Sequence, residues 1–446
     1  MKGTLAQIVS TLYTLVPGLS DEAGMQRHLS RGTFWTLILH FSHIGLTFLI
    51  SVLLARWLGA TSYGSFTHIL TWLMVLVTAG SVGADDLLVK ELPRHPDGQG
   101  PGRELIRFTL LFTLAGSSFL AVLFAILLYA DLLPWLSEYA SYFAILLPVV
   151  PLFALIYWAM AGLRATQSLI TAQWPEKAAR PAILIVLIVL WYAASDSHIG
   201  LTEVIRIVAF TIVLTGFLYA VLVYKKVWPK SGRKMAGPPD RSHWRGQLLI
   251  FALLPVLNIL NQRIDILILG NLADDEAVGI YGISSRLTEM IPFSLILFQN
   301  VFSPLYARYH SSGDLKALEK LVRRGIRLSL ILAAPVALTL LIFGSSILRI
   351  FGSEFAEGYN VILILSPVQI LSLAIGPLAF LLMMVGKGRL AFLIMAGGLL
   401  LTAILQTMLI PAYGVEGAAA GRATGLIVTQ LAYARATWST LKIRTI

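Results

Sequence analysis

Charged side chains embedded in long apolar segments are the residues of this sequence best suited to chemistry. Glu176, Lys177 and Arg180 lie within TAQWPEKAARPA, and Arg263 and Asp265 lie within NILNQRIDILIL. A charge at the centre of a bilayer costs at least ~2.5–3.5 kcal/mol, so each one needs an opposite charge or contact with water. If these segments cross a membrane, the charges indicate either ion pairs between helices or an aqueous cavity.

The spacing of these charges predicts which of them pair on their own helix. Glu176 and Arg180 are four positions apart, and Arg286 and Glu289 are three apart, so each pair lies on one helix face. Lys177 is left unmatched. Arg263 and Asp265, two positions apart, point in different directions and are not expected to pair.

We interpret the group as the lining of a cationic, water-filled cavity that holds an anion. Arginine stays charged and donates in a planar fork that fits phosphate oxygens. The cations predicted to bind the anion are Lys177, Arg180, Arg263, Arg286 and Arg56. The acids predicted to couple transport to protons or Na⁺ are Asp265, Glu176 and Glu289. The alternative is that the charges only form salt bridges between the two halves of the protein.

No arrangement of residues indicates catalysis or a metal site. The chain has no cysteine, which excludes disulfides and thiolate ligands. His40, His43 and His68 lie on the first predicted hairpin, where polar contact between helices is favoured over proton transfer. A membrane enzyme such as a glycan polymerase or acyltransferase is disfavoured, because the predicted outer loops are short and no nucleophile stands beside a base.

The composition requires these charges to be positioned by membrane helices. Hydrophobic residues make up 57% of the 446 positions and charged residues 13%, which excludes a soluble multidomain protein and a disordered chain. Apolar runs separated by short polar breaks predict about twelve helical spans. The spans are expected near 33–56, 63–84, 105–130, 141–163, 166–194, 201–224, 246–270, 277–304, 325–351, 358–385, 388–410 and 415–438.

The loop charges assign the two sides of the membrane. Loops on one side are rich in lysine and arginine, and the opposite loops carry mainly aspartate and glutamate. The positive-inside rule places the basic side, with both termini, in the cytoplasm. The net charge of +11 is therefore attributed to cytoplasmic loops and an anionic ligand, and not to binding of nucleic acid.

Segments rich in proline, glycine and basic residues divide the chain into five parts. Residues 1–30 contain a one-sided apolar helix predicted to lie in the membrane interface, followed by a cytoplasmic segment, and they do not read as a signal peptide. A half of six spans occupies 31–224, a basic cytoplasmic linker 225–245, a second half of six spans 246–440, and a cytoplasmic tail 441–446.

The two halves repeat the same pattern. Residues 31–66 and 245–283 each open with Arg-Gly, cross the membrane, end in Leu-Gly and restart after a Tyr-Gly. Two even-span halves with the same orientation predict a pseudo-twofold axis along the membrane normal and a cavity between the halves, as in an alternating-access transporter.

Four segments in order resemble one family of membrane proteins. They are 55–59 (ARWLG) with Tyr63-Gly64, 265–270 (DILILG) with 278–281 (VGIY), 351–356 (FGSEFA), and 410–420 (IPAYGVEGAAA). Together they resemble the polysaccharide-type lipid-linked oligosaccharide flippases of the multidrug/oligosaccharidyl-lipid/polysaccharide exporter superfamily. The resemblance implies an all-α fold whose two lobes form a V around a cationic cavity.

The resemblance also implies the cargo and its route. It implies transfer of an undecaprenyl-pyrophosphate-linked glycan from the cytoplasmic to the periplasmic leaflet of a bacterial inner membrane, beside a polymerase and glycosyltransferases. Twelve spans, without an extra pair, argue against lipid II as the cargo. The alternative within the superfamily is a cation-coupled multidrug antiporter, which would favour acidic over basic cavity residues.

Overall fold

The computed structural model describes residues 23–94, 101–166, 168–195, 199–228, 241–293, 306 and 309–441, and these residues are almost entirely helical. The predicted interfacial helix at 1–20, most of the predicted linker and most of the predicted tail lie outside the described residues. The described part begins with a long helix at Ala23.

The first half of the chain contains the spans expected from its apolar runs. The first and second spans form one continuous element, and the others are separate helices. The bounds are Ala23–Gly80, Pro101–Tyr129, Val150–Ala165, Arg180–Ala194 and Leu201–Lys226, with the shorter helices Ala84–Glu91, Ala140–Leu146 and Leu169–Trp174. The 3-10 turns are Leu92–Arg94, Pro134–Tyr139 and Leu147–Val149, and a π-helix spans Pro175–Ala179.

The second half of the chain follows the same plan. The seventh span begins it, and the eleventh and twelfth form one element. The bounds are Arg241–Leu272, Asp275–Thr288, Leu315–Arg349, Tyr359–Ile375, Leu378–Met384 and Gly388–Leu441, with a 3-10 turn at Glu354–Gly358.

Nine helices in the described part are long and apolar enough to cross a membrane, which makes this a multi-pass membrane protein. Two of the nine, Ile38–Gly80 and Gly388–Thr440, are each too long for one crossing. Each contains one glycine with non-helical backbone angles, where two spans join. Counting both as pairs, and adding the eighth span, described as far as Phe293, reconciles the nine helices with the twelve predicted spans.

Gly59 joins the first two spans. Its φ of 75° and ψ of 173° are accessible to glycine but costly for residues with a Cβ. Contacts with the second half show that the chain reverses here. Ser51 of the first span bonds to Arg286 of the eighth, and Thr67 of the second span lies beside Gly282, about one turn from Arg286, so Ser51 and Thr67 lie at similar depths. The predicted loop 57–62 is thus reduced to a single residue.

Gly414, with a φ of 52°, joins the last two spans in the same way. Gln406 Nε2 donates to the Ala418 carbonyl at 3.0 Å, and Tyr433 donates to the Ala391 carbonyl at 3.1 Å. These pairings are antiparallel, so the eleventh and twelfth spans form a hairpin.

Large apolar side chains cover the outer helix faces. Leu111, Phe119 and Ile126 of the third span are exposed, as are Ile331 and Ile342 of the ninth. In a bilayer such faces meet lipid at no cost, because hydrocarbon is as apolar as they are. The few charged side chains are therefore positioned by packing between helices.

Candidate functional site

The π-helix of the fifth span carries the first group of predicted site residues. An extra residue in this turn, bracketed by Pro175 and Pro181, changes the direction of the side chains, and such π turns recur at functional sites. Lys177 Nζ lies 2.7 Å from His40 Nε2 of the first span and donates to Gln173 Oε1 at 2.7 Å. The lysine left unmatched by sequence spacing is therefore held between two spans by neutral groups.

His40 directs this group toward the second half of the protein. Its ring lies 6.3 Å from that of Phe293 on the eighth span, and Phe41 packs edge-on against the same ring at 5.5 Å. The Lys177–His40 pair therefore lies where the two halves face each other. Lys177 has no acid among its hydrogen-bond partners in the described part of the chain.

Glu176 and Arg180 form the predicted intrahelical ion pair. The Arg180 guanidinium also lies over the ring of Phe153, at 4.6 Å from its centroid. The Glu176 side chain is 14% exposed and that of Arg180 is 16% exposed. This arginine is neutralised and packed, which makes it less available to an anion than Lys177.

Arg286 does not pair with Glu289 as its spacing predicted. Its Nη1 donates across to Ser51 Oγ of the first span at 2.5 Å. Arg286 is exposed, roughly 17 Å along its helix from Asp275 at a rise of about 1.5 Å per residue. An exposed arginine at this depth must contact water. We call the space between the halves, next to Ser51, Arg286, His40 and Lys177, the central gap.

Glu289 and Asp265 both pair with Arg422 of the twelfth span. Arg422 Nη1 lies 2.7 Å from Asp265 Oδ2, and its Nη2 lies 3.4 Å from Glu289 Oε1. Tyr281 donates to the same Asp265 oxygen at 2.7 Å. Arg422 is not among the cations that the sequence assigned to the site. No sequence signal joins it to Asp265, because the two lie 157 positions apart.

The remaining predicted cations occupy different surroundings. Arg263 is partly buried, and it forms no ion pair within the described residues. Arg56 is exposed and donates through Nε to the Ile350 carbonyl at 2.6 Å. It lies about 24 Å along the first span from His40. The structure therefore does not bring Arg56 to the fifth-span group.

Arg56 belongs to an outer seam, which we define by the contacts that join the halves at this end. Asp275 accepts hydrogen bonds from Ser65 and, at 2.6 Å, from Tyr139. Glu354 Oε2 accepts from the Ala60 backbone N–H at 2.9 Å, directly after the Gly59 bend. Sequence analysis treated these two acids only as outer-loop charges.

Two glycines allow the backbones of the outer seam to touch. A Cβ on Gly64 would lie 1.6 Å from the Asp275 carbonyl oxygen, and one on Gly279 would lie 2.2 Å from the Ala60 carbonyl oxygen. No side chain fits at either place. Gly64 is the glycine of the first repeated Tyr-Gly pair, so the repeat noticed in the sequence marks part of this contact.

The halves also meet at the opposite end of the seventh span, in what we call the inner contact. Gly83, with a φ of 69°, packs against the backbone of Phe251 and Ala252. Lys90 donates to Gln247 Oε1 at 3.0 Å and lies 5.3 Å from the Phe251 ring centroid. The ring of the buried Trp244 also lies 5.5 Å from that of Phe108 on the third span. In the described residues this contact thus has one close glycine approach, one lysine bond and one ring contact, whereas the outer seam has two acids and two glycine contacts.

Comparison with known proteins is consistent with this architecture. A family model described as polysaccharide biosynthesis protein matches residues 29–310, and one described as MatE matches residues 252–408. The probable low-salt glycan biosynthesis flippase Agl15 of Haloferax volcanii is 27% identical over 172 residues, 38% of this chain. The matched part spans 36% of that protein's length.

Solved structures show the fold over nearly the whole chain. An inward-facing multidrug resistance MATE family transporter of the MOP superfamily has a TM-score of 0.71 at 13% identity, covering 91% of this chain and 95% of that one. The lipid II flippase MurJ in an inward closed conformation has a TM-score of 0.69 at 14% identity, covering 91% and 87%. The predicted fold class, about twelve helices in two lobes around a central cavity, is confirmed.

Proposed function

The chain belongs to the polysaccharide biosynthesis protein family of the multidrug/oligosaccharidyl-lipid/polysaccharide exporter superfamily, and on that premise we propose that it is a flippase for lipid-linked oligosaccharides. The proposed cargo is a glycan on undecaprenyl pyrophosphate, moved from the cytoplasmic to the periplasmic leaflet of a bacterial inner membrane. The polymerase and glycosyltransferases of the same pathway would act beside it. Nothing in the proposed cycle requires catalysis or a cofactor beyond a coupling ion, H⁺ or Na⁺.

The observation that carries this proposal is the exposure of Arg286 at mid-membrane in the central gap. A pyrophosphate cannot enter hydrocarbon without replacement of its hydration. The exposed guanidinium of Arg286 would provide that replacement beside Ser51. The ammonium of Lys177, held by neutral partners, would provide it beside His40, about 17 Å farther along the first span. The prenyl tail would remain in the lipid, and the glycan would occupy the gap.

Alternating exposure follows from the two unequal contacts between the halves. The outer seam closes the gap on the side predicted to face the periplasm. To open it, the bond between Asp275 and Ser65 and the bond between Glu354 and the Ala60 backbone N–H must break. The inner contact, with one lysine and one phenylalanine at its centre, would open and close on the other side. Transport would consist of rocking between these two closures.

The second candidate function is a cation-coupled multidrug antiporter. It is supported by the match of the MatE family model to residues 252–408 and by the structural likeness to the MATE transporter. A cationic drug would need free acids in the gap. Asp265 is instead 2% exposed and bound to Arg422, and Glu176 is bound to Arg180. The flippase is therefore favoured.

Cells lacking the gene provide the test that separates these functions. Lipid-linked repeat units should accumulate on the cytoplasmic face, and surface polysaccharide should disappear, with both restored by the wild-type gene. Unchanged polysaccharide together with lost resistance to cationic drugs would select the antiporter.

A further inference from the structure

The Arg422 cluster links three spans of the second half without being part of the predicted cation set. Arg422 on the twelfth span contacts Asp265 on the seventh and Glu289 on the eighth. Among the described residues, two contacts of its guanidinium involve acids, although the group has five N–H donors. Its side chain is 15% exposed, so it reaches the surface of the structure.

The two contacts of Arg422 are unequal. The Asp265 contact is short, at 2.7 Å, and Asp265 is 2% exposed and fixed by the Tyr281 hydroxyl. The Glu289 contact is 3.4 Å long, and Glu289 is 32% exposed. Salt bridges of buried, hydrogen-bonded groups persist, whereas half-exposed ones are weak and exchange readily with solvent ions. Asp265 therefore positions the arginine, and Glu289 is the partner that can leave.

Glu289 lies one helical turn after a second cation, which bonds to Ser51 and not to Glu289. Arg286 is three positions earlier on the same helix, hence on the same face, and is itself exposed. A carboxylate bound to an arginine occupies a place that a phosphate oxygen would fill, because both anions accept bidentate bonds from guanidinium groups.

We propose that Arg422 is an anion-binding residue of the central gap, and that Glu289 occupies its site as an internal placeholder until a diphosphate displaces it. Asp265 and Tyr281 are positioning residues that hold the guanidinium. The carboxylate of Asp265 then serves to hold Arg422 in place, and Asp265 is no longer a candidate for ion coupling. The identity of the cargo rests on the proposed function, but anion binding at Arg422 does not.

Binding of radiolabelled inorganic pyrophosphate to the purified full-length protein, at low ionic strength, tests the proposal. Glu289→Gln should bind about three- to tenfold more tightly than wild type, because the competing carboxylate is gone. Arg422→Gln should bind at least about tenfold more weakly. Glu357→Gln, an exposed acid outside the cluster, makes the same change in net charge and should leave the affinity unchanged.

A gain in affinity cannot come from misfolding, so Glu289→Gln decides the question even if Arg422→Gln is unstable. The double variant Asp265→Asn/Arg422→Gln removes the buried acid together with its partner, and it should fold while still binding weakly. Unchanged or weaker binding by Glu289→Gln, or wild-type binding by the folded double variant, would overturn the proposal. Tighter binding by Glu289→Gln without any glycolipid transport by wild type would sustain it and refute the proposed function instead.

Discussion

Lys177 shows how one residue's surroundings decide its role. Among the cations of the fifth span, Arg180 is neutralised by Glu176, whereas the hydrogen-bond partners of Lys177 within the described residues are His40 and Gln173. An ammonium with neutral partners keeps its charge available for an anion. It therefore gives a sharper test of the cationic gap than its neighbours on the same turn.

Replacing Lys177 by Gln should reduce glycolipid transport about tenfold or more, because a charge-assisted contact contributes about 1.5–3 kcal/mol. The measurement is the initial rate at cargo concentrations below saturation, normalised to the amount of folded protein. Lys226→Gln is the matched control, since Lys226 lies exposed at the end of the sixth span and bonds to Thr171. Equal rates for both variants would remove Lys177 from the site.

The sequence predicts local pairs of residues and fails for distant ones. The Glu176–Arg180 bond follows from a spacing of four on one helix. The pair expected for Arg286 and Glu289 gives way to Ser51 and Arg422, which lie on other spans. Helix packing brings those partners closer than the helix's own geometry does. A single sequence contains no record of that packing.

At the scale of elements, the second and eighth spans determine how the gap closes at its outer end. Their backbones touch at Gly64 and Gly279, and the acid at the start of the eighth span bonds to Ser65. Small residues that allow backbone contact are a usual basis of helix association in membranes. The outer seam is therefore sensitive to a single methyl group.

Gly64→Ala should open the outer seam, because the new Cβ would lie 1.6 Å from the Asp275 carbonyl oxygen. The native chain has no cysteine, so Ala60→Cys provides a single reporter at a buried position of the seam. Its labelling by a membrane-impermeant maleimide should rise at least about threefold. Gly45→Ala, in open space on the first span, should leave the labelling unchanged. Protection of the reporter in Gly64→Ala would show that the seam tolerates the methyl group.

Apolar runs predict the existence of the spans better than their joints. In the structure, the bends at Gly59 and Gly414 are single residues inside continuous helical elements. The sequence predicted loops of several residues at both places. The sequence also did not predict the π-helix at Pro175–Ala179. Hydropathy reports which segments prefer lipid, but not how one residue turns the chain.

At the scale of the whole molecule, the two halves meet by unequal contacts at their two ends. In the part of the chain that the structure describes, the outer seam has two acids and two close backbone approaches. The inner contact has one close backbone approach at Gly83, the Lys90–Gln247 bond and the Phe108–Trp244 ring contact. The predicted sidedness, with basic loops and both termini in the cytoplasm, would place the outer seam, with its two acids, toward the periplasm. Cargo would then enter from the side on which it is synthesised.

The most direct measurement uses the purified protein in liposomes with a fluorescent undecaprenyl-pyrophosphate-linked oligosaccharide in the inner leaflet. Transfer to the outer leaflet is followed by quenching with an impermeant reductant. We predict transfer by wild type at a rate well above that of empty liposomes. The double variant Lys177→Gln/Arg286→Gln should transfer the lipid at a rate near that of empty liposomes. Undecaprenol without its phosphates should not be transferred. Transfer that is equally fast in the double variant, or none by wild type, would contradict the account.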